Sequence, residues 1–93
     1  MPVVRIPSVL RKHTGGEAKV EAPGATVREV FASLTADNDE LRADLLDGEQ
    51  VRGFINVYVD DEDIRYVDGL DTPVDSDAEI AIMPAVAGGA GGR

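Results

Sequence analysis

The chain has no cysteine and no tryptophan, and its 93 residues include only two tyrosines, two phenylalanines and one histidine, His13. The missing thiols remove a disulfide framework, a thiolate zinc site and a cysteine nucleophile together. One histidine leaves one base for a Ser-His-Asp arrangement, with no partner beside it in sequence. No apolar run reaches the roughly 18 residues of a transmembrane helix. The start, Met1-Pro2-Val3-Val4-Arg5, lacks the long apolar stretch of a secretory signal, so a cytoplasmic protein is expected.

Positive charge is also scarce. Nine Lys and Arg stand against 18 Asp and Glu, a formal net charge of −9. A phosphate backbone would be repelled by such a surface, so neither a nucleic acid nor a membrane is expected as a partner. The acidity serves solubility or steering toward basic protein surfaces.

A chain of this length makes one domain and buries only about 60–65% of its unfolded surface. Val3-Val4-Arg5-Ile6 reads as a first strand ended by Pro7. Arg11-Lys12-His13-Thr14-Gly15-Gly16 is polar, closes on two glycines and suits a hairpin loop. Glu17 to Ala22 alternates, with Ala18, Val20 and Ala22 on one face. Pro23-Gly24 stops that strand.

Thr26-Val27-Arg28-Glu29 matches a capping box. Val27, Val30, Phe31 and Leu34 then form one apolar stripe at helical spacing. Leu41, Leu45 and Leu46 suggest a second, shorter helical piece that ends at Asp47-Gly48. These leucines read as core and not as a partner groove.

Phe54 to Val59 is the strongest strand, apolar on both faces. Asp60-Asp61-Glu62-Asp63 lacks the spacing of a calcium-binding loop and reads as a hairpin tip. Ile64 to Val67 is expected as a short strand, and Glu79 to Met83 as the last, with Ile80 and Ile82 on one face. Asp75, Asp77 and Glu79 alternate along a solvent face. His13, beside Thr14-Gly15-Gly16, reads as a solvated loop residue rather than a phosphate ligand.

The order β-β-α-(short α)-β-β-β predicts a two-layer α+β architecture. A mixed sheet of four to five strands carries one main helix on one face. The first and last strands are candidates for parallel pairing at the sheet centre. Residues 1–84 form the domain. Residues 85–93, almost all glycine after Ala87, are expected as a flexible tail.

The end Ile82-Met83-Pro84-Ala85-Val86-Ala87-Gly88-Gly89 resembles the C-terminus of the ubiquitin-like sulfur carriers, the ThiS/MoaD-like family of β-grasp proteins. Arg5-Ile6-Pro7, His13-Thr14-Gly15-Gly16 and Phe54 to Arg65 resemble the carriers of cysteine biosynthesis within it. The element order agrees along nearly the whole chain.

The resemblance implies a protein co-substrate and not an enzyme, with no bound cofactor and no metal. A ubiquitin-activating-type enzyme would adenylate the Gly89 carboxylate with ATP. A sulfur donor would then displace AMP and leave a thiocarboxylate. The sulfur cannot ride on a side-chain thiol, since there is none. The acceptor implied for the cysteine type is a pyridoxal-phosphate enzyme of the cysteine-synthase kind.

Pro84, Ala85, Val86, Ala87 and Gly88 would guide the tail into the activating enzyme. Glycine there allows the close approach that a narrow channel demands. Family members ready for use end at Gly-Gly, whereas this chain continues with Ala90-Gly91-Gly92-Arg93. A cut after Gly89 by a JAMM-type metalloprotease is therefore expected, with Gly92 as the rival terminus. Other readings of the same tail are a modifier joined to lysines and the small subunit of molybdopterin synthase. A plain β-grasp interaction domain needs no tail chemistry. The exposed side of the sheet, with Phe54 or Tyr58, is the candidate docking surface.

Overall fold

A computed structural model of the chain describes residues 1–48 and 50–84. Strand β1 spans Val3–Arg5 and pairs antiparallel with β2, Lys19–Glu21. A 3-10 helix over Ser8–Thr14 joins them, where a hairpin loop is predicted. Leu10 is the reason: it is buried, so the connection coils to reach the core. Gly15 and Gly16, at φ 65° and 87°, then turn the chain back. Ala18 is exposed and only Ala22 is fully buried, so the predicted face of Ala18, Val20 and Ala22 does not hold at its first position. The β2 strand begins only at Lys19, and Ala18 precedes it on the sheet's outer edge.

Helix α1, Val27–Leu34, starts where the capping box places it. Thr26 Oγ1 accepts from the Glu29 N–H at 3.2 Å, and Glu29 Oε1 accepts from the Ala25 N–H at 2.9 Å. Val27, Val30 and Phe31 are wholly buried. Full burial of such a side chain is worth about 1.5–3 kcal/mol. Asn38 caps α2, Asp39–Leu45, by accepting from the Leu41 N–H. Leu46 leaves the helix and opens a small antiparallel ribbon of β3, Leu46–Asp47, with β4, Gln50–Val51. The predicted helix included Leu46, but its extended backbone ends α2 one residue earlier.

Strand β5, Ile55–Val59, turns through Asp60 and Asp61 into β6, Glu62–Asp63. Both turn residues have positive φ, 48° and 75°, the left-handed pair that a two-residue hairpin requires. The strand predicted over Ile64 to Val67 is a 3-10 turn, Ile64–Tyr66. A strand would put Ile64 and Tyr66 on one face. The turn instead buries Ile64 and leaves Tyr66 84% exposed. A second 3-10 turn, Gly69–Asp71, drops Leu70 into the core. Strand β7 is Glu79–Pro84.

The main sheet has five strands in the order β2-β1-β7-β5-β6, with β1 and β7 parallel at its centre. Val4 pairs with Ile80, and Val57 with Ile82. Together with Ile55 and Val59 these residues face the helices, making one core with Phe31, Leu41 and Leu45. This is the α+β, β-grasp arrangement.

Candidate functional site

The alternation that buries Val4, Ile80, Ile82 and Val57 turns their neighbours to the opposite, helix-free face. One row crosses all five strands there: Lys19 lies opposite Arg5, Arg5 beside Ala81, Ala81 opposite Tyr58, and Tyr58 opposite Asp63. Met83, 50% exposed, lies opposite Asn56 in the next row along β7. An open depression of about 410 Å³ sits here, lined by Arg5, Asn56, Tyr58, Ala81, Met83 and Pro84. Tyr58 is half-buried on this face, whereas Phe54 precedes β5 and is 59% exposed.

Pro84 closes β7, paired with Ile55, and is the last described residue before the tail. The other tail positions lie outside the described residues: Ala85, Val86, Ala87 and Gly88, the reacting candidate Gly89, and Ala90, Gly91, Gly92 and Arg93.

His13 is not the solvated loop residue the sequence suggests. Its side chain is 9% exposed, and Nε2 lies 2.8 Å from Asp44 Oδ2 on α2. Asn38 Nδ2 donates to the His13 carbonyl at 2.6 Å, so ring and backbone are both tied to the α2 region. The ring is a structural clasp and does not line the sheet-face depression. No local signal marks it, because Asp44 is 31 residues away.

At the far end of the cross-sheet row, Asp63 accepts from Arg65 Nη2 at 2.8 Å and from the Arg65 N–H at 2.9 Å. The guanidinium hydrogen bond, chiefly, holds the Asp63 carboxyl below the usual carboxylate range. Among the described residues, no group of three or more His, Asp or Glu is placed to hold a metal ion. No helix there is long and apolar enough to cross a membrane.

The helix-free depression and the end of β7 at Pro84 thus lie together. The family model described as the ThiS family matches residues 4–89. The chain belongs to the ThiS family. The match covers both the sheet and the tail through Gly89, and stops short of the last four residues. The sulfur carrier protein CysO of Mycobacterium tuberculosis is 40% identical over 89 residues, covering 92% of this ThiS-family chain and 96% of that protein. The crystal structure of the Amycolatopsis orientalis BexX/CysO complex contains a chain 46% identical to this one, with a TM-score of 0.89. That likeness covers 96% of this chain and 100% of the other. Small archaeal modifier protein 3 of Haloferax volcanii is 34% identical over 65 residues, covering 70% and 71% of the two chains.

Proposed function

We propose that this ThiS-family chain is a sulfur carrier whose working group is the carboxyl of Gly89. The observation that carries this reading is the family match, which runs from the first strand to residue 89 and ends there. The likeness to CysO over nearly the whole of both chains supports the cysteine-type branch.

The chemistry needs an activated carboxylate. One Gly89 carboxylate oxygen attacks the α-phosphorus of ATP in a ubiquitin-activating-type enzyme, and pyrophosphate leaves. Sulfide, or a sulfur donor of equal oxidation level, then attacks the acyl carbon. The bond from carbon to the AMP oxygen breaks, AMP leaves, and a thiocarboxylate remains. Its sulfur is the nucleophile given to an acceptor enzyme, a pyridoxal-phosphate cysteine synthase in the cysteine-type branch. The carrier contributes positioning. Its sheet face and tail root dock it, and the tail spans the distance to a site that excludes water.

Ala90, Gly91, Gly92 and Arg93 must be removed first. In the full chain Gly89 lies within a peptide bond, and a JAMM-type metalloprotease cutting after Gly89 frees its carboxylate. The test compares the full chain with a chain ending at Gly89 in ATP–pyrophosphate exchange catalysed by the host's activating enzyme. Exchange is expected with the shortened chain and not with the full one. Equal exchange with both would place the working terminus at Arg93 and sink the processing step.

The likeness to an archaeal modifier protein favours a second reading, in which the same activated Gly89 is joined to lysines. Higher-mass conjugates that survive thiol reagents would support it.

A further inference from the structure

We infer that Arg5, Arg11 and Lys19 form a cationic docking groove at the root of the tail, fitted to an acidic surface segment of the adenylating enzyme. The inference rests on the sulfur-carrier reading for the identity of that enzyme.

The charge of this chain is unevenly distributed. Residues 1–20 hold Arg5, Arg11, Lys12 and Lys19 against one carboxylate, Glu17, in a chain whose acids outnumber its bases 18 to 9. The β1–β2 register sets Arg5 directly opposite Lys19. Like charges facing each other across an antiparallel pair oppose folding. Glu79 relieves this only loosely: its Oε1 is 3.9 Å from Arg5 Nη1, with both side chains about half exposed. Among the described residues no carboxylate pairs with Lys19. Arg11 turns its Nε to the Ile6 carbonyl at 3.1 Å, which fixes its guanidinium against the end of β1.

These three cations line one shallow groove of about 290 Å³, completed on the exposed side by Met83 and Pro84. Position selects the occupant. An enzyme that draws residues beyond Pro84 into its active site must cover the surface around Pro84. The part of that enzyme facing the groove meets three cations on an otherwise acidic protein. Carboxylates there gain from all three and relieve the Arg5–Lys19 repulsion. The rest of the chain holds 18 carboxylates against six cations, so its net charge disfavours the same carboxylates and docking is oriented as well as favoured. A nucleic acid fits poorly, because its long phosphate chain would run onto the acidic remainder of the surface.

Lys19→Glu separates docking from folding. It converts the like-charged pair into an opposite-charged one, so the unfolding temperature is expected to hold or rise. Binding to the host's adenylating enzyme, followed by calorimetry without ATP, is expected to weaken about tenfold and to lose part of its salt dependence. Arg5→Glu is the second variant and should weaken binding in the same direction. Lys12→Glu, with the same charge change outside the groove, should bind like wild type.

Unchanged binding in both groove variants would overturn the inference. So would equal weakening in the Lys12→Glu control, which would assign the effect to net charge. A short single-stranded RNA that binds wild type and not Lys19→Glu, with enzyme binding unaltered, would overturn it in favour of a polyanion site. Pyrophosphate exchange run on the same variants, each ending at Gly89, keeps the two readings apart. Enzyme binding that depends on Lys19, without exchange, keeps the groove and sinks the carrier chemistry. Exchange with an unaltered KM for Lys19→Glu does the reverse.

Discussion

His13 Nε2 lies 2.8 Å from Asp44 Oδ2, and this contact clasps the 3-10 segment that follows β1 to helix α2. The ring is nearly enclosed while Asp44 keeps 43% of its side-chain exposure, so the carboxylate remains partly hydrated. Removing the ring leaves a gap and frees the segment that carries Leu10 into the core. His13→Ala is expected to cost about 1.5–3 kcal/mol, the range for hydrogen bonds to charged groups. Asp44→Ala should cost less, and the double variant less than the sum of the two. Urea unfolding of the four proteins measures this. Additive effects would mean that the contact contributes nothing of its own.

Gly24 has a packing reason to be glycine. A Cβ built there would lie 2.5 Å from the Val30 nitrogen and 2.8 Å from its Cγ2. Both belong to Val30, which is fully buried in α1 and cannot retreat without disturbing the core. Gly24→Ala is expected to destabilise by about 1–3 kcal/mol, the range for overpacking. Gly48→Ala, with nothing within 4 Å of the added carbon, should cost less despite its φ of 65°. Thermal unfolding of the two variants should rank them in that order, and the reverse order would contradict the packing account.

The Asp63–Arg65 pair sets a weak acid dependence. The folded-state pKa of Asp63 is lowered, chiefly by the Arg65 hydrogen bond. Its stabilising contribution is therefore full above the unfolded-state value of about 3.9 and is lost as pH falls through the lower folded value. Arg65→Ala should flatten the acid limb of the stability curve below that point and leave its shape near neutrality unaltered. The pair is exposed on the Arg65 side, so the change is small. Chemical unfolding across the acid range tests this. An unaltered acid limb in the variant would remove Asp63 from the account.

Much of this fold can be read from local pattern. The Thr26–Glu29 box marks the start of α1, and the Val27, Val30, Phe31, Leu34 stripe marks its buried side. The alternation of Ile80 and Ile82 identifies the buried face of β7. What could not be read depends on contacts distant in sequence. Ile64 to Val67 has strand-like composition, but Asp63 caps a helical turn there and Ile64 packs into a core formed by other segments. His13 looks solvated until α2 brings Asp44 to it. Lys19 and Arg5 are two charges in a basic stretch until the β1–β2 register sets them face to face. The tail pattern, Gly88-Gly89 after Pro84-Ala85-Val86-Ala87, stands in the sequence itself and needs no packing to be noticed, and the family match runs through it to residue 89.

The central claim is that Gly89 ends as a thiocarboxylate. The chain ending at Gly89 is incubated with the activating enzyme, ATP and sulfide, and its intact mass is measured before and after. The expected result is a gain equal to the difference between one sulfur and one oxygen atom, confined to the C-terminal fragment and lost on alkylation and hydrolysis. An unchanged mass, under conditions where the enzyme converts a known carrier, would contradict the account.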